Sequence, residues 1–143
     1  MISPEKTAGI VGGSAIIGSD VHDSLDLVRV VRRGLPVGAA QHMLDSGRLT
    51  PAEMDRVVLP RRTLANRRKV GTLTADQSDR LLRIARVLAT ADETFGTVDK
   101  ASHWLRRPTQ VLAGERPLDL LDTEEGAREV EALLGRIAHG IAA

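Results

Sequence analysis

Five of the nine residues from Arg61 to Lys69 are basic, and they follow one tight turn after a capped amphipathic segment, Thr50 to Val58. Cations at that density neutralise phosphate, and a short basic helix set behind a second short helix has the charge geometry of a helix-turn-helix facing a nucleic-acid backbone. The candidate DNA-binding residues are Arg61, Arg62, Thr63, Asn66, Arg67, Arg68 and Lys69, with Leu64 pointing inward. Arg suits guanine and Asn suits adenine, but each serves a phosphate equally well, so no base specificity is assigned. A solvated face is the blander explanation of any basic run; here the capped helix and turn in front of it favour DNA.

Other reactive side chains carry less. The four histidines, at 22, 42, 103 and 139, lack ligand spacing, and with no cysteine in the chain no metal site is expected. Ser14 lies among Gly12, Gly13 and Gly18, but the run lacks the Lys-Ser/Thr ending of a phosphate loop. Glu124 and Glu125 suit the dipole of a helix start better than acid–base work. No catalytic residue, cofactor or small-molecule substrate is expected. Phe95 and Trp104 are the only aromatics, too few for the stacking platforms of single-stranded nucleic acid. A lone Trp on a helix is more often core than interface, and both readings of Trp104 stay open.

The net charge of +1 hides a strong asymmetry: residues 29–86 hold 13 Lys/Arg against 5 Asp/Glu, whereas 87–143 hold 6 against 10. A basic middle suits phosphate and an acidic C-terminal part does not, so two jobs are implied. The 143 residues can bury one ordinary core or two small ones. The apolar stretch from Ala8 to Gly18 is too short and Gly-rich for a membrane span or a convincing signal peptide, which points to the cytoplasm.

The elements that must position these groups read as helices throughout. Residues 1–19 show no period and read as a mobile arm. Asp20 to Arg33 has helical spacing, with acids at its start, arginines at its end and Gly34 as the stop. A second helix runs over Leu35 to Leu44. Thr50-Pro51-Ala52-Glu53 and Thr74-Ala75-Asp76-Gln77 are capping boxes that open helices at Pro51 and near 75. Pro60 breaks the chain before Arg61 to Val70. After Gly96 the order is Val98 to Arg106, a Pro-bounded connection to Pro117, Leu118 to Leu121, and Thr123 to about Gly140. No segment alternates long enough to be a strand, so the fold class is all-α.

Three blocks, RRTLANRRKVGTL (61–73), SDRLLRIARVLATADETFG (78–96) and ASHWLRRPTQVLAGERPLDLLDTEEGAREVEALLGRIAHG (101–140), together resemble the Xre/MbcA/ParS antitoxins over roughly residues 29–143. The specific part is Trp104-Leu105, Pro108, Ala113-Gly114, Pro117 to Leu121, Thr123 to Ala127 and Leu134 to Gly140. Two positions depart from the family pattern. Ala113 stands where Gly is more usual, and Pro60 stands where a small capping residue often precedes Arg-Thr-Leu.

The resemblance implies an N-terminal Xre-like helix-turn-helix bundle over 20–86, for DNA binding and dimerisation, and a small helical toxin-binding domain over 87–143. It implies a non-enzymatic antitoxin that neutralises a RES-domain toxin destroying NAD and represses its own operon by binding operator double-stranded DNA as a homodimer. The toxin contacts expected are Trp104, Pro108, Leu112, Leu118, Leu120, Leu121, Arg128, Glu131, Arg136 and the Ala143 carboxylate, with Leu118, Leu120 and Leu121 exposed. Leu81, Ile84, Val87 and Leu88 form a stripe wide enough to suggest the dimer contact. The alternatives are a free-standing regulator whose acidic C-terminal domain only dimerises and, more remotely, a helical enzyme.

Overall fold

The computed structural model describes residues 2–140. Within them the chain forms nine α-helices: α1 Pro4–Ile10, α2 Gly13–Ile17, α3 Ser24–Arg33, α4 Val37–Asp45, α5 Pro51–Val57, α6 Arg61–Val70, α7 Ala75–Phe95, α8 Val98–Leu105 and α9 Glu124–Ala138. Local chemistry sets most of their starts. The Thr50 and Thr74 capping boxes both close: the Glu53 and Gln77 N–H groups donate to the threonine hydroxyls at 3.1 Å, and the glutamate and glutamine side chains accept the threonine N–H groups at 2.9 Å. Asp23 and Asp26 make a third box, so α3 begins at Ser24 rather than at Asp20.

The 21-residue α7 is the hub. Ser78, Leu81, Leu82, Ile84, Ala85, Val87, Leu88, Ala89 and Ala91 are all buried on it, more than one face of a helix can hold, because α1, α3, α8 and α9 pack around it. This corrects the dimer stripe. Leu81, Ile84 and Val87 are fully buried and Leu88 is 1 % exposed, so these four side chains fill the chain's own core and offer no surface to a second copy. The width came from several neighbours on one helix.

One of those neighbours is the expected mobile arm. Residues 4–17 fold as α1 and α2, Ser3 caps α1, and Ala8, Val11 and Ile17 join the same core. Two short helices separated by Val11 and Gly12 break any single period, so the segment shows none in sequence. The expected boundary between 86 and 87 likewise falls inside α7, whose buried residues on both sides belong to one continuous apolar cluster.

Between α8 and α9 two 3-10 turns, Gln110–Leu112 and Pro117–Asp122, replace longer helix. Leu118 and Leu121 are fully buried, Leu112 is 8 % exposed and Leu120 is half-buried, so the three leucines expected at the surface instead mainly anchor this segment. Gly126 explains part of the following motif. A Cβ at that position would collide with the Leu120 carbonyl oxygen, so the first turn of α9 can approach the 3-10 turn only through a glycine.

Candidate interaction surfaces

Helices α5 and α6 are joined by Val58, Leu59 and Pro60, with Val58 and Leu59 buried and the Leu59 N–H donating to the Met54 carbonyl at 3.0 Å. Pro60 gives α6 no side-chain cap. Asp55 does so from the preceding helix, its carboxylate accepting the Arg61 N–H at 2.8 Å. The departure at Pro60 is thereby compensated by an acid five residues upstream of it. From α7, the Arg80 guanidinium donates to the Val58 carbonyl at 2.9 Å and fixes the turn.

Leu64 is 5 % exposed and faces the core. Helical rotation of 100° per residue then puts Arg62, Asn66 and Lys69 on the opposite, outward stripe, and all three are exposed. Arg61 is exposed on one flank. The structure separates the remaining candidates from this stripe. Half-buried Arg67 donates from Nε to the Thr72 carbonyl at 2.8 Å, closing the turn after α6, and half-buried Thr63 lies beside it. Arg68 is exposed but donates to Gln41 Oε1 on α4 at 2.9 Å.

Much of the sequence's charge asymmetry is satisfied inside the chain. Basic residues of the middle pair with acids of the C-terminal part: Arg48 with Asp92 at 2.8 Å, Arg56 with Asp119 at 2.7 Å, Arg83 with Glu124 at 3.3 Å and Arg86 with Glu131 at 2.9 Å. Among the described residues, Arg61, Arg62, Arg68 and Lys69 have no carboxylate partner, which leaves α6 as an unneutralised cationic face.

One ion-pair cluster runs the other way and was invisible in the sequence beyond its capping role. Glu53 is 4 % exposed. It accepts Arg106 Nε and Nη2 at 2.9 and 2.8 Å in a bidentate pair, and Arg116 Nη2 at 3.4 Å. Arg106 also donates to the Arg48 carbonyl at 3.0 Å and to Ser102, while Arg116 grips Asp119, which holds Arg56. Burial pushes the Glu53 carboxyl up, but the Arg106 hydrogen bonds, the Thr50 N–H and the two guanidinium charges outweigh it and hold the group below the usual carboxylate range. The first turn of α5 is thus locked to α8 and to the 3-10 turn. Residues 48 to 116 in a single sequence carry no signal that pairs them.

The C-terminal part presents a mixed surface. Trp104 is half-buried and tilts against Phe95 at a centroid distance of 5.3 Å, so it serves the core and keeps an open edge. Pro108 is exposed and leads into a tight loop closed by the Thr109 N–H to the Glu115 carbonyl at 3.1 Å. Ala113 sits at its tip with φ 58°, the left-handed conformation that explains why Gly is more usual there. The loop holds Val111 outward at 51 % exposure, an exposed apolar side chain the motif reading did not single out. On α9, Arg128 is exposed and loosely paired with Glu124 and Glu125, Glu131 is engaged by Arg86, and Arg136 is half-buried. Ala143 lies outside the described residues.

Residues 26–86 match the family model of the antitoxin Xre-like helix-turn-helix domain, and residues 90–140 match the antitoxin Xre/MbcA/ParS C-terminal toxin-binding domain. A protein named Antitoxin Xre from Yersinia enterocolitica is 35 % identical over 118 residues, 80 % of each chain. The chain belongs to the Xre antitoxin family. Another Antitoxin Xre, from Pseudomonas putida, is 40 % identical over 99 residues, which are 68 % of this chain and 62 % of that protein, so the match spans less than two thirds of that relative's length. A chain of the Mycobacterium tuberculosis MbcT–MbcA toxin–antitoxin complex shares the fold with a TM-score of 0.55 at 23 % identity, covering 75 % of this chain and 96 % of the other. Among the described residues of this Xre-family chain, no helix is long and apolar enough to cross a membrane.

Proposed function

We propose that the chain is the antitoxin of a type II toxin–antitoxin module, acting by binding rather than catalysis in the cytoplasm. Its C-terminal part binds and neutralises a cognate RES-domain toxin that destroys NAD. The outward stripe of α6 holds the operator of its own operon, with Arg62, Asn66 and Lys69 at the DNA and Arg61 and Arg68 at the flanking phosphates. Toxin contact is assigned to the open edge of Trp104, to Pro108 and Val111 on the closed loop, to half-buried Leu120, and to Arg128 and Arg136 on α9.

The observation that carries this reading is the pairing, in one chain, of a cationic helix face without carboxylate partners among the described residues and a C-terminal domain of the toxin-binding family. The test is co-expression with the adjacent reading frame, purification and sizing of the complex, and measurement of NAD hydrolysis by the neighbour with and without this chain. Stoichiometric inhibition, together with retention of a DNA fragment from the shared promoter, is expected. A chain that binds the promoter but neither binds nor inhibits the neighbour's product is a free-standing regulator, and the antitoxin reading fails.

A further inference from the structure

Where α1, α3 and α7 meet, the chain leaves an open hollow of about 330 Å³. Its apolar wall is Leu27, Val28 and Val31 of α3 with Leu82 of α7, and buried Thr7 of α1 closes one side. The wall is aliphatic and holds neither of the chain's two aromatic residues. The side closed by α1 lies ahead of both family-matched segments, so the hollow depends on the N-terminal arm as well as on the helix-turn-helix.

Three arginines and one acid complete the lining. Glu131 holds Arg86 through two hydrogen bonds, and Asp79 is exposed. On α3 Arg29 pairs with Asp26, and Arg33 donates to Ser19 and the Ile17 carbonyl, but Arg32 is exposed and has no carboxylate partner among the described residues. Arg83 is the informative group. Its side chain is only 12 % exposed, its Nε is buried without an acceptor among the described residues, and Nη1 alone is engaged, by Glu124 at 3.3 Å. Buried donors are nearly always satisfied, so an open guanidinium nitrogen beside an alkyl-lined hollow points to an acceptor from outside the chain. Glu124 does not depend on Arg83, because it also faces Arg128 Nε at 3.4 Å. An anionic head group can therefore replace it without stranding a charge, taking Nε and a terminal nitrogen of Arg83 in the bidentate geometry that a guanidinium offers a carboxylate. The guanidinium must turn out of its buried seat to do so, and a single bond at 3.3 Å does little to resist that.

We infer that this hollow binds a small aliphatic carboxylate, its alkyl chain against Leu27, Val28, Val31 and Leu82 and its head on Arg83 and Arg32. The aliphatic wall selects a flexible chain over a stacked ring. A volume at the lower end of small-molecule pockets, about 300–1,000 Å³, selects one of medium length. The site uses neither the α6 face nor the loop at Val111, so it stands or falls independently of the antitoxin reading.

The test is titration of the full chain with decanoate, below its micelle concentration, and in parallel with decanol. Decanoate should shift the methyl resonances of Leu27, Val28, Val31 and Leu82 saturably and raise the melting temperature, because a ligand that binds only the folded chain stabilises it. Arg83→Met keeps the apolar stem and removes the cation, and should weaken decanoate binding about tenfold or more, the loss expected for a charge-assisted hydrogen bond. Arg107→Met, which removes an exposed cation beyond α8, should leave it unchanged. Decanol should bind both proteins equally and weakly. Shifts that spread over the surface without saturating, a lowered melting temperature, decanol as tight as decanoate, or equal effects of the two substitutions would each overturn the inference. Should Arg83→Met misfold, exposed Arg32→Met and the methyl shifts of the wild type decide in its place.

Discussion

At the scale of single residues, the outward stripe of α6 proposed for DNA contact is distinct from the residues that do structural work on the same helix. Arg62 and Lys69 are exposed and unpaired among the described residues, whereas Arg67 closes the turn to Thr72. Replacing Arg62 and Lys69 with Ala should therefore lower the log–log salt slope of operator binding by about 0.9 for each lost phosphate contact and leave toxin inhibition intact. Arg67→Ala should instead lower the melting temperature, and an unchanged salt slope in a folded Arg62→Ala/Lys69→Ala double variant would remove the assignment. Ala113 is a second separable case. Left-handed backbone costs an alanine about 1–2 kcal/mol, while a glycine there gives back about 0.4–1 kcal/mol through the unfolded chain. The strain wins, so Ala113→Gly should stabilise the protein by about 0.5–1 kcal/mol, read by urea unfolding. Gly126→Ala has the opposite sign, because its methyl meets the Leu120 carbonyl oxygen and a backbone shift is the only relief. A loss of about 2–3 kcal/mol is expected in the same assay.

At the scale of elements, the Glu53 cluster decides how the helix-turn-helix is held against the C-terminal part. Glu53 and Arg106 are 5 % and 23 % exposed at the side chain, so breaking the pair strands a charge in poor solvent. Glu53→Gln should lower stability by about 3 kcal/mol at neutral pH. The acid dependence follows from the lowered pKa of the carboxyl. The contribution is complete above the unfolded glutamate value of about 4.3 and disappears as pH falls through the lower folded value. Wild-type stability should fall in that acidic range, and a Glu53→Gln protein should fall less steeply; parallel pH profiles from thermal melts would show that the pair contributes nothing. This cluster also marks what the sequence could and could not convey. Capping boxes at Thr50 and Thr74 were legible because both partners lie within four residues, and the basic face was legible because helical period alone selects it. Glu53 with Arg106 was not, since 53 residues separate them and no local pattern favours either partner. The same holds for the leucines of 118–121: their periodicity announced an apolar side, but only the packed chain shows that α9 and α7 already cover it.

At the scale of the whole molecule, the two family-matched halves share one helix and one core. α7 supplies Leu81, Leu82 and Ile84 ahead of residue 87 and Val87, Leu88 and Ala91 from it onward, and both sets belong to a single cluster with α1, α8 and α9 residues. Arg86 and Arg83 carry the ion pairs to Glu131 and Glu124 on α9. A fragment of residues 87–143 would keep less than half of α7, expose the faces of Val130, Leu133 and Leu134 that rest in the core, and lose the partner of Glu131. It should be largely unfolded by circular dichroism, with dispersed amide resonances absent, and should fail to inhibit the toxin. Removal of residues 1–19 should also reduce stability, since Ala8, Val11 and Ile17 leave the same core, although the helix-turn-helix and α9 remain intact in sequence. The two proposed functions must then be separated by surface substitutions in the full chain rather than by cutting it. A cooperatively folded 87–143 fragment that still inhibits the toxin would show that the C-terminal part is an autonomous domain, and would mean that the long shared helix only links two independent units.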